Sequence, residues 1–212
     1  VDKITNHKSV TLSPAWSPDG SKIAYTAFVQ RAKTKTRNAD LFIYELTSGK
    51  RWLTSFKKGI NSGANFDTKS KNLFLTISQS GSPDIFKITQ DGDEVSRLTN
   101  GPRGAMNVEP NISPDGKKIA FSSDRSGNPM IYVMDSDGTN VKRITFAGKY
   151  NATPSWSPDG KRLAFAGWSD DHFDIFTVNA DGTEMVRVTS SRKPNGKWAN
   201  NETPVYSADG RM

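Results

Sequence analysis

The chain has 212 residues, 24% of them charged, and 29 Lys+Arg against 22 Asp+Glu leave a net charge of +7. Leu, Ile, Val and Phe make up about 20% of it with only eight leucines, so a core can form but not one of leucine-rich helices. No apolar run is long enough for a membrane-spanning helix, zero cysteines exclude disulfides, thiolate zinc sites and cysteine nucleophiles, and two histidines lean against an enzyme.

In chain order, residues 1–5 (VDKIT) match only the tail of an element repeated later. Residues 14–26, PAWSPDGSKIAYT, predict a first strand ending at Trp16, a turn at Ser17-Pro18-Asp19-Gly20 and a second strand over 23–26. Proline presets the first corner of that turn, and Asp-Gly tolerates the second. A loop over 28–39 leads to a third strand at 41–46, then to a fourth marked by Leu53-Thr54. The pattern returns as ANFDTKSKNLFLT from Ala64, PNISPDGKKIAFS from Pro110 and PSWSPDGKRLAFA from Pro154, and in truncated form as PVYSADGRM from Pro204. Second strands are expected at 73–76, 119–122 and 163–166, and third strands at 85–89, 131–134 and 175–178. Equivalent residues Ser17, Asp67, Ser113, Ser157 and Ser207 are 50, 46, 44 and 50 residues apart. Four-stranded units at this period mark the blades of a β-propeller. The fold expected is therefore all-β, with four complete blades around 9–54, 63–99, 109–145 and 153–189, a partial unit at 203–212 and a stray strand at 1–5. The second copy departs from the others: Phe66-Asp67-Thr68-Lys69-Ser70 has neither the proline nor the Asp-Gly.

The copies resemble the PD40, or TolB-type, propeller repeat, whose signature runs W-S-P-D-G, I-A-F, a later aromatic strand ending in D-G, and R-L/I-T. The stretch 9–26 and the junctions Glu109-Pro110 and Glu202-Thr203-Pro204 are similar to blade openings of that family. The resemblance implies a six-bladed ring, preceded by a small α/β domain and a secretory signal. It also implies a non-enzymatic periplasmic scaffold of the Tol–Pal envelope system that supports outer-membrane integrity and cell division. The implied partners are a Pal-type (peptidoglycan-associated) lipoprotein domain and other Tol proteins. The runner-up is the propeller of a prolyl-oligopeptidase-like or tricorn-like peptidase, gating a catalytic domain outside this chain. Because 1–5 and 204–207 read as strands of blades missing their middle, the chain is expected to be a piece of the ring. It is then expected to self-associate through its open ends.

Chemistry is sparse. No Gly-x-Ser-x-Gly occurs, and His172, with Asp170, Asp171 and Asp174 around it, is expected to be a solvated loop histidine. Asp135-Ser136-Asp137-Gly138 and Asn179-Ala180-Asp181-Gly182 lack the further carboxylates of a calcium loop and read as strand-joining turns. The resemblance raises a cation such as calcium in a central channel, but no residue set here predicts it, so no cofactor or metal is expected. The basic loop 30–38, QRAKTKTRN, has no interleaved aromatics, which speaks against nucleic acid. Its charge suits an acidic protein surface instead. The sequons at Asn111, Asn151 and Asn201 coincide with repeat junctions.

Uniform turns on one side of the units read as scaffold. The unequal loops on the other, at 28–39, 57–65, 101–109, 148–153, 168–172 and 191–203, read as a binding face. The resemblance points there to Ile60, Asn61, Asn107, Val108, Glu109, Asn151, Thr153, Asn201, Glu202 and Thr203 as partner-binding residues, to which the basic loop adds Lys33 and Lys35. Where the family often carries a histidine before the second unit, this chain has Ile60.

Overall fold

A computed structural model describes residues 3–30, 36–79, 81–190, 192–193 and 195–210. Among the described residues sixteen strands form four antiparallel four-stranded sheets, each a meander in chain order. The first holds β1 (Thr11–Trp16), β2 (Lys22–Gln30), β3 (Arg37–Glu45) and β4 (Arg51–Ser55). The second holds β5 (Asn61–Phe66), β6 (Asn72–Ile77), β7 (Asp84–Thr89) and β8 (Glu94–Arg97). A 3-10 turn at Pro102–Gly104 precedes the third, built from β9 (Asn107–Ile112), β10 (Lys118–Ser123), β11 (Met130–Asp135) and β12 (Lys142–Arg143). The fourth holds β13 (Asn151–Trp156), β14 (Arg162–Ser169), β15 (His172–Asn179) and β16 (Val186–Arg187). These are the blades of a β-propeller fold. The chain divides into two units, Val1–Pro110 and Asn111–Met212.

The middle strands are apolar on both faces because a sheet stacked face to face with another has no solvent side. In the first unit Ala24, Leu41 and Ile43 pack with Leu73, Leu75, Phe86 and Ile88 of the next sheet. In the second, Ala120, Ile131 and Val133 pack with Trp156, Leu163, Phe165 and Val178.

The turns show why their sequence repeats. Asp19 accepts from the Ser17 hydroxyl at 2.5 Å and from the Ser21 N–H at 3.1 Å, while Gly20 takes φ +69°. The Ser17 hydroxyl hydrogen bond leads the forces that hold the Asp19 carboxyl at about 2, with the Ser21 N–H next. Asp115 and Asp159 repeat the arrangement with Ser113 and Ser157. The divergent copy reaches the same turn by other means. Asp67 itself accepts from the N–H groups of Lys69 (3.2 Å) and Lys71 (2.7 Å), and Ser70 adopts φ +54° where the others have glycine. At the same end of the sheets, a methyl group on Gly92 would run into the Thr54 carbonyl, so the Asp-Gly turn of one blade seats on the outer strand of its predecessor.

Several expectations are corrected. Residues 28–30 and 37–39 of the expected loop form a ladder, paired as far as Gln30↔Arg37, and Lys33 and Lys35 lie outside the described residues. Loops expected to run to 65, 109 and 153 end at Asn61, Asn107 and Asn151, where β5, β9 and β13 begin. Those strand starts lack apolar alternation because of a bulge considered below. His172 is no loop residue: it opens β15 and is 2% exposed. Among the described residues no strand occurs within 3–10 or 201–210.

Candidate functional site: the blade junctions

Each junction between consecutive sheets is closed by an asparagine from the later repeat. Asn107 donates its backbone N–H to the Pro83 carbonyl (2.8 Å) and its side-chain amide to Asp84 (2.9 Å) and the Ala105 carbonyl (3.2 Å). Thr99 donates to the same Asp84 oxygen at 2.8 Å and accepts from the Ile85 N–H at 2.9 Å. Arg97 pairs with the other Asp84 oxygen and donates Nε–H to the Thr99 carbonyl at 3.0 Å. One carboxylate thus joins the third strand of a blade, the end of its fourth strand and the first strand of the next. Asp84 and Asn107 are 1% and 0% exposed, so every one of these bonds substitutes for lost water.

The other junctions vary that theme. Asn61 donates to the carbonyls of Ala39 (3.0 Å) and Lys57 (2.8 Å) and accepts from the Ser55 hydroxyl (2.8 Å) and the Lys57 N–H (3.0 Å). Ser55 takes the place Thr99 holds in the next sheet because the β3–β4 register skips Thr54, whose buried hydroxyl has no partner among the described residues. Asn151 donates to the Ala147 carbonyl (2.9 Å) and faces the Met130 sulfur at 3.1 Å, where the other repeats have aspartate. Asn201 donates its N–H to the Phe173 carbonyl (2.8 Å) and its amide to Asp174 (3.1 Å).

The Asp174 junction is the most elaborate. Thr189 donates to Asp174 at 2.9 Å, and Arg187 binds Asp174 through Nε (2.8 Å) and Nη2 and reaches Asp170 at 2.9 Å. His172 Nε2 lies 2.8 Å from Asp174 and 3.1 Å from Arg187 Nη2. Its Nδ1 lies 2.9 Å from the Asp170 carbonyl. The imidazole stacks on Trp198 at 4.4 Å and 4°, and Arg192 covers the ring's other face at 4.0 Å. Burial opposes ionisation of Asp174, but bonds from Thr189, Arg187 and Asn201 overcome it and hold the carboxyl below its ordinary range. The Asp174 hydrogen bond raises Arg187. Among the described residues the ring and polar contacts of His172 are with Asp170, Asp174, Arg187 and Trp198.

Two residues beyond each asparagine the backbone turns left-handed, at Gly63 (φ +66°), Glu109 (+58°), Thr153 (+53°) and Thr203 (+57°). The register shifts there, between Ser62 and Asn65 and between Ala152 and Ser155, as in a β-bulge. Only the first of these positions is glycine, so three repeats carry a strained residue beside the clasp.

The expected partner-binding residues therefore fall into two groups. Asn61, Asn107 and Asn151 are buried and committed to the clasps, and Asn201 is half-buried and bonded to Asp174. Ile60 is 44% exposed, Glu202 and Thr203 are exposed, and Val108, Glu109 and Thr153 are half-buried. Sequence reasoning passed over Asp84, Thr99, Thr189, Arg97 and Arg187, and named Asp174 only as a neighbour of His172. Their signal was an aspartate recurring just before the third strand (Asp40, Asp84, Asp174) together with R-L-T and R-V-T. Among the described residues no cluster of three or more His, Cys, Asp or Glu could hold a metal.

Residues 1–212 match the family profile described as "PD40: TolB beta propeller domain". A "Tol-Pal system protein TolB" from Ruthia magnifica subsp. Calyptogena magnifica is 35% identical over 97 residues, 45% of this chain and 22% of that protein. A "Protein TolB homolog" from Chlorobium chlorochromatii is 38% identical over 116 residues, 55% of this chain and 24% of that one. The crystal structure of TolB from Acinetobacter baumannii superposes with TM-score 0.74 at 30% identity, over 91% of this chain and 48% of that chain. The alignments thus span less than a quarter of these two relatives. An oligogalacturonate lyase in complex with manganese, at 13% identity and TM-score 0.64, shares the fold alone.

Proposed function

The chain belongs to the TolB β-propeller family, and on that premise we propose that it is a non-enzymatic, protein-binding scaffold of the Tol–Pal system, working in the periplasm. The single observation that carries this reading is the division within each junction. A buried clasp repeats, while its neighbours change chemistry from copy to copy: Ile60, then Val108 and Glu109, then Thr153, then Glu202 and Thr203. Repetition inside with variation outside suits a rigid frame that presents one specific surface.

The partner in this reading is a Pal-type lipoprotein domain, with other Tol proteins engaged by the longer relatives, in support of outer-membrane integrity and cell division. Charge supports an acidic partner. The first unit holds 16 Lys+Arg against 10 Asp+Glu and the second 13 against 12, so nearly all the net charge lies in the first. Calorimetric titration with a purified Pal-type domain tests the proposal. Ile60→Asp, Lys58→Glu and Thr203→Asp, all at exposed junction positions, should each weaken binding about tenfold without lowering the melting temperature. Affinity unchanged in all three would remove the junctions as the binding surface.

A further inference from the structure

On the side of the sheets that carries the Ser-Pro-Asp-Gly and Asp-Gly turns, the groove between consecutive blades is filled in one place and open in another. In the first unit, between the first and second sheets, Trp52 of β4 lies in it. Its indole N–H donates to the Gln90 carbonyl at 3.2 Å. The Gln90 side chain spans the groove, accepting from Lys22 at 2.8 Å and donating to the Ser70 carbonyl. Lys22 and Lys50 lie 5.8 and 5.9 Å from the Trp52 ring. The blade closes its own groove with an aromatic ring, an amide and cations.

In the second unit, between the third and fourth sheets, the equivalent positions carry other residues. Trp52 pairs with Ile43, and at the matching rung Lys142 pairs with Val133. Gln90 follows the last residue of β7, and Ala180 holds that place after β15. The ring and the amide are gone. A groove of about 650 Å³ remains, floored by Val133, Ile144 and Ala180 and rimmed by Lys118 and Lys142. It adjoins a second hollow of about 580 Å³ reaching Pro114, Trp156 and Pro158.

The rim charges decide the occupant. Lys118 is paired with Asp135 at 2.7 Å, and Asp135 also accepts from Asn140. Asp181 turns its carboxylate to the N–H and hydroxyl of Thr183. Both acids are thereby occupied, whereas Lys142, which acts on Asp135 only through space, is exposed and has no ion pair at contact distance among the described residues. We propose that this groove binds an aromatic side chain carried by an acidic peptide segment of a partner protein. The ring would occupy the volume that Trp52 fills in the first unit, and an adjacent carboxylate would meet Lys142. The site is separate from the blade junctions, so its failure would leave the proposed function standing.

The test uses the whole chain and two probes, the blocked tripeptide Asp-Trp-Glu and uncharged N-acetyltryptophanamide, followed by methyl NMR. The acidic tripeptide should shift the methyl resonances of Val133, Ile144 and Ala180 and bind at least about tenfold more tightly than the amide. Ala180→Gln with Lys142→Trp, which copies the first unit's own filling, should abolish the Val133 and Ile144 shifts while preserving the fold. Gln90→Ala with Trp52→Lys should open the first unit's groove and create binding there. No shift at these methyls, shifts that survive the filled variant, or equal binding of the uncharged amide would each overturn the proposal. A melting temperature and methyl dispersion like the parent's separate loss of binding in the filled variant from unfolding.

Discussion

The junctions that flank the fourth sheet solve one problem with different chemistry. Before it, Asn151 and Thr145 face the sulfur of Met130; after it, Asn201 and Thr189 share the carboxylate of Asp174, backed by Arg187 and His172. In both, the asparagine also binds a main-chain carbonyl of the preceding blade through its own N–H, Pro129 or Phe173 at 2.8 Å. The threonine in both accepts from an N–H of the third strand, Ile131 at 3.0 Å and Ile175 at 2.9 Å. Geometry therefore comes from the backbone, asparagine and threonine. The carboxylate adds charge, and with charge comes dependence on its partners, because a buried ion pair gains little over an apolar filling yet costs much when broken.

That contrast can be broken most severely by Asp174→Ala. It leaves Arg187, Thr189 and Asn201 without their acceptor and should cost about 3–5 kcal/mol in urea unfolding. Met130→Asp should cost under about 1 kcal/mol, since Arg143 already binds the Thr145 carbonyl at 2.6 Å as Arg187 binds that of Thr189. A large loss from the second substitution would show that the two junctions are not variants of one device. Next in size, Asn107→Ala should destabilise by about 1–3 kcal/mol, leaving the Asp84 carboxylate short of a donor.

Acid probes the same difference more gently, because protonation removes charge but leaves the atoms in place. Asp174 is held below its ordinary value of 3.8 in the fold. Its contribution is therefore complete above that value and lost as pH falls through the lower folded value. Melting temperature should decline below about pH 4, and Asp174→Asn should flatten that decline. The smallest effect concerns the bulges. Thr153→Gly copies Gly63 and should stabilise by up to about 1 kcal/mol, as relief of left-handed strain outweighs the added chain entropy.

The blades were legible because their signals are local: turn residues at fixed offsets and two-sided apolar strands. The clasps were not. Asp84, Thr99 and Asn107 are well separated in sequence, and only stacking of sheets makes them one site. His172 misled for the same reason, since its loop-like neighbours Asp170 and Asp171 say nothing of the Trp198 ring that covers it. The left-handed bulges escaped because Glu109, Thr153 and Thr203 are residues that ordinarily avoid that conformation. In the second unit, filling of the inter-blade groove turns on Ala180 and Lys142, neither of which is unusual alone.

The clasps of Asn107, Asn151 and Asn201 take their aspartate or methionine from one repeat and their asparagine from the next, so the bonded unit is offset from the unit of sequence similarity. A gene segment copied or deleted in whole periods, wherever its ends fall, returns every asparagine to a position opposite a matching third strand. Stability in such an array is a sum of neighbour terms. Blade number can then change during evolution by unequal recombination without any interface being redesigned, and individual copies such as that of Met130 can drift while their neighbours hold.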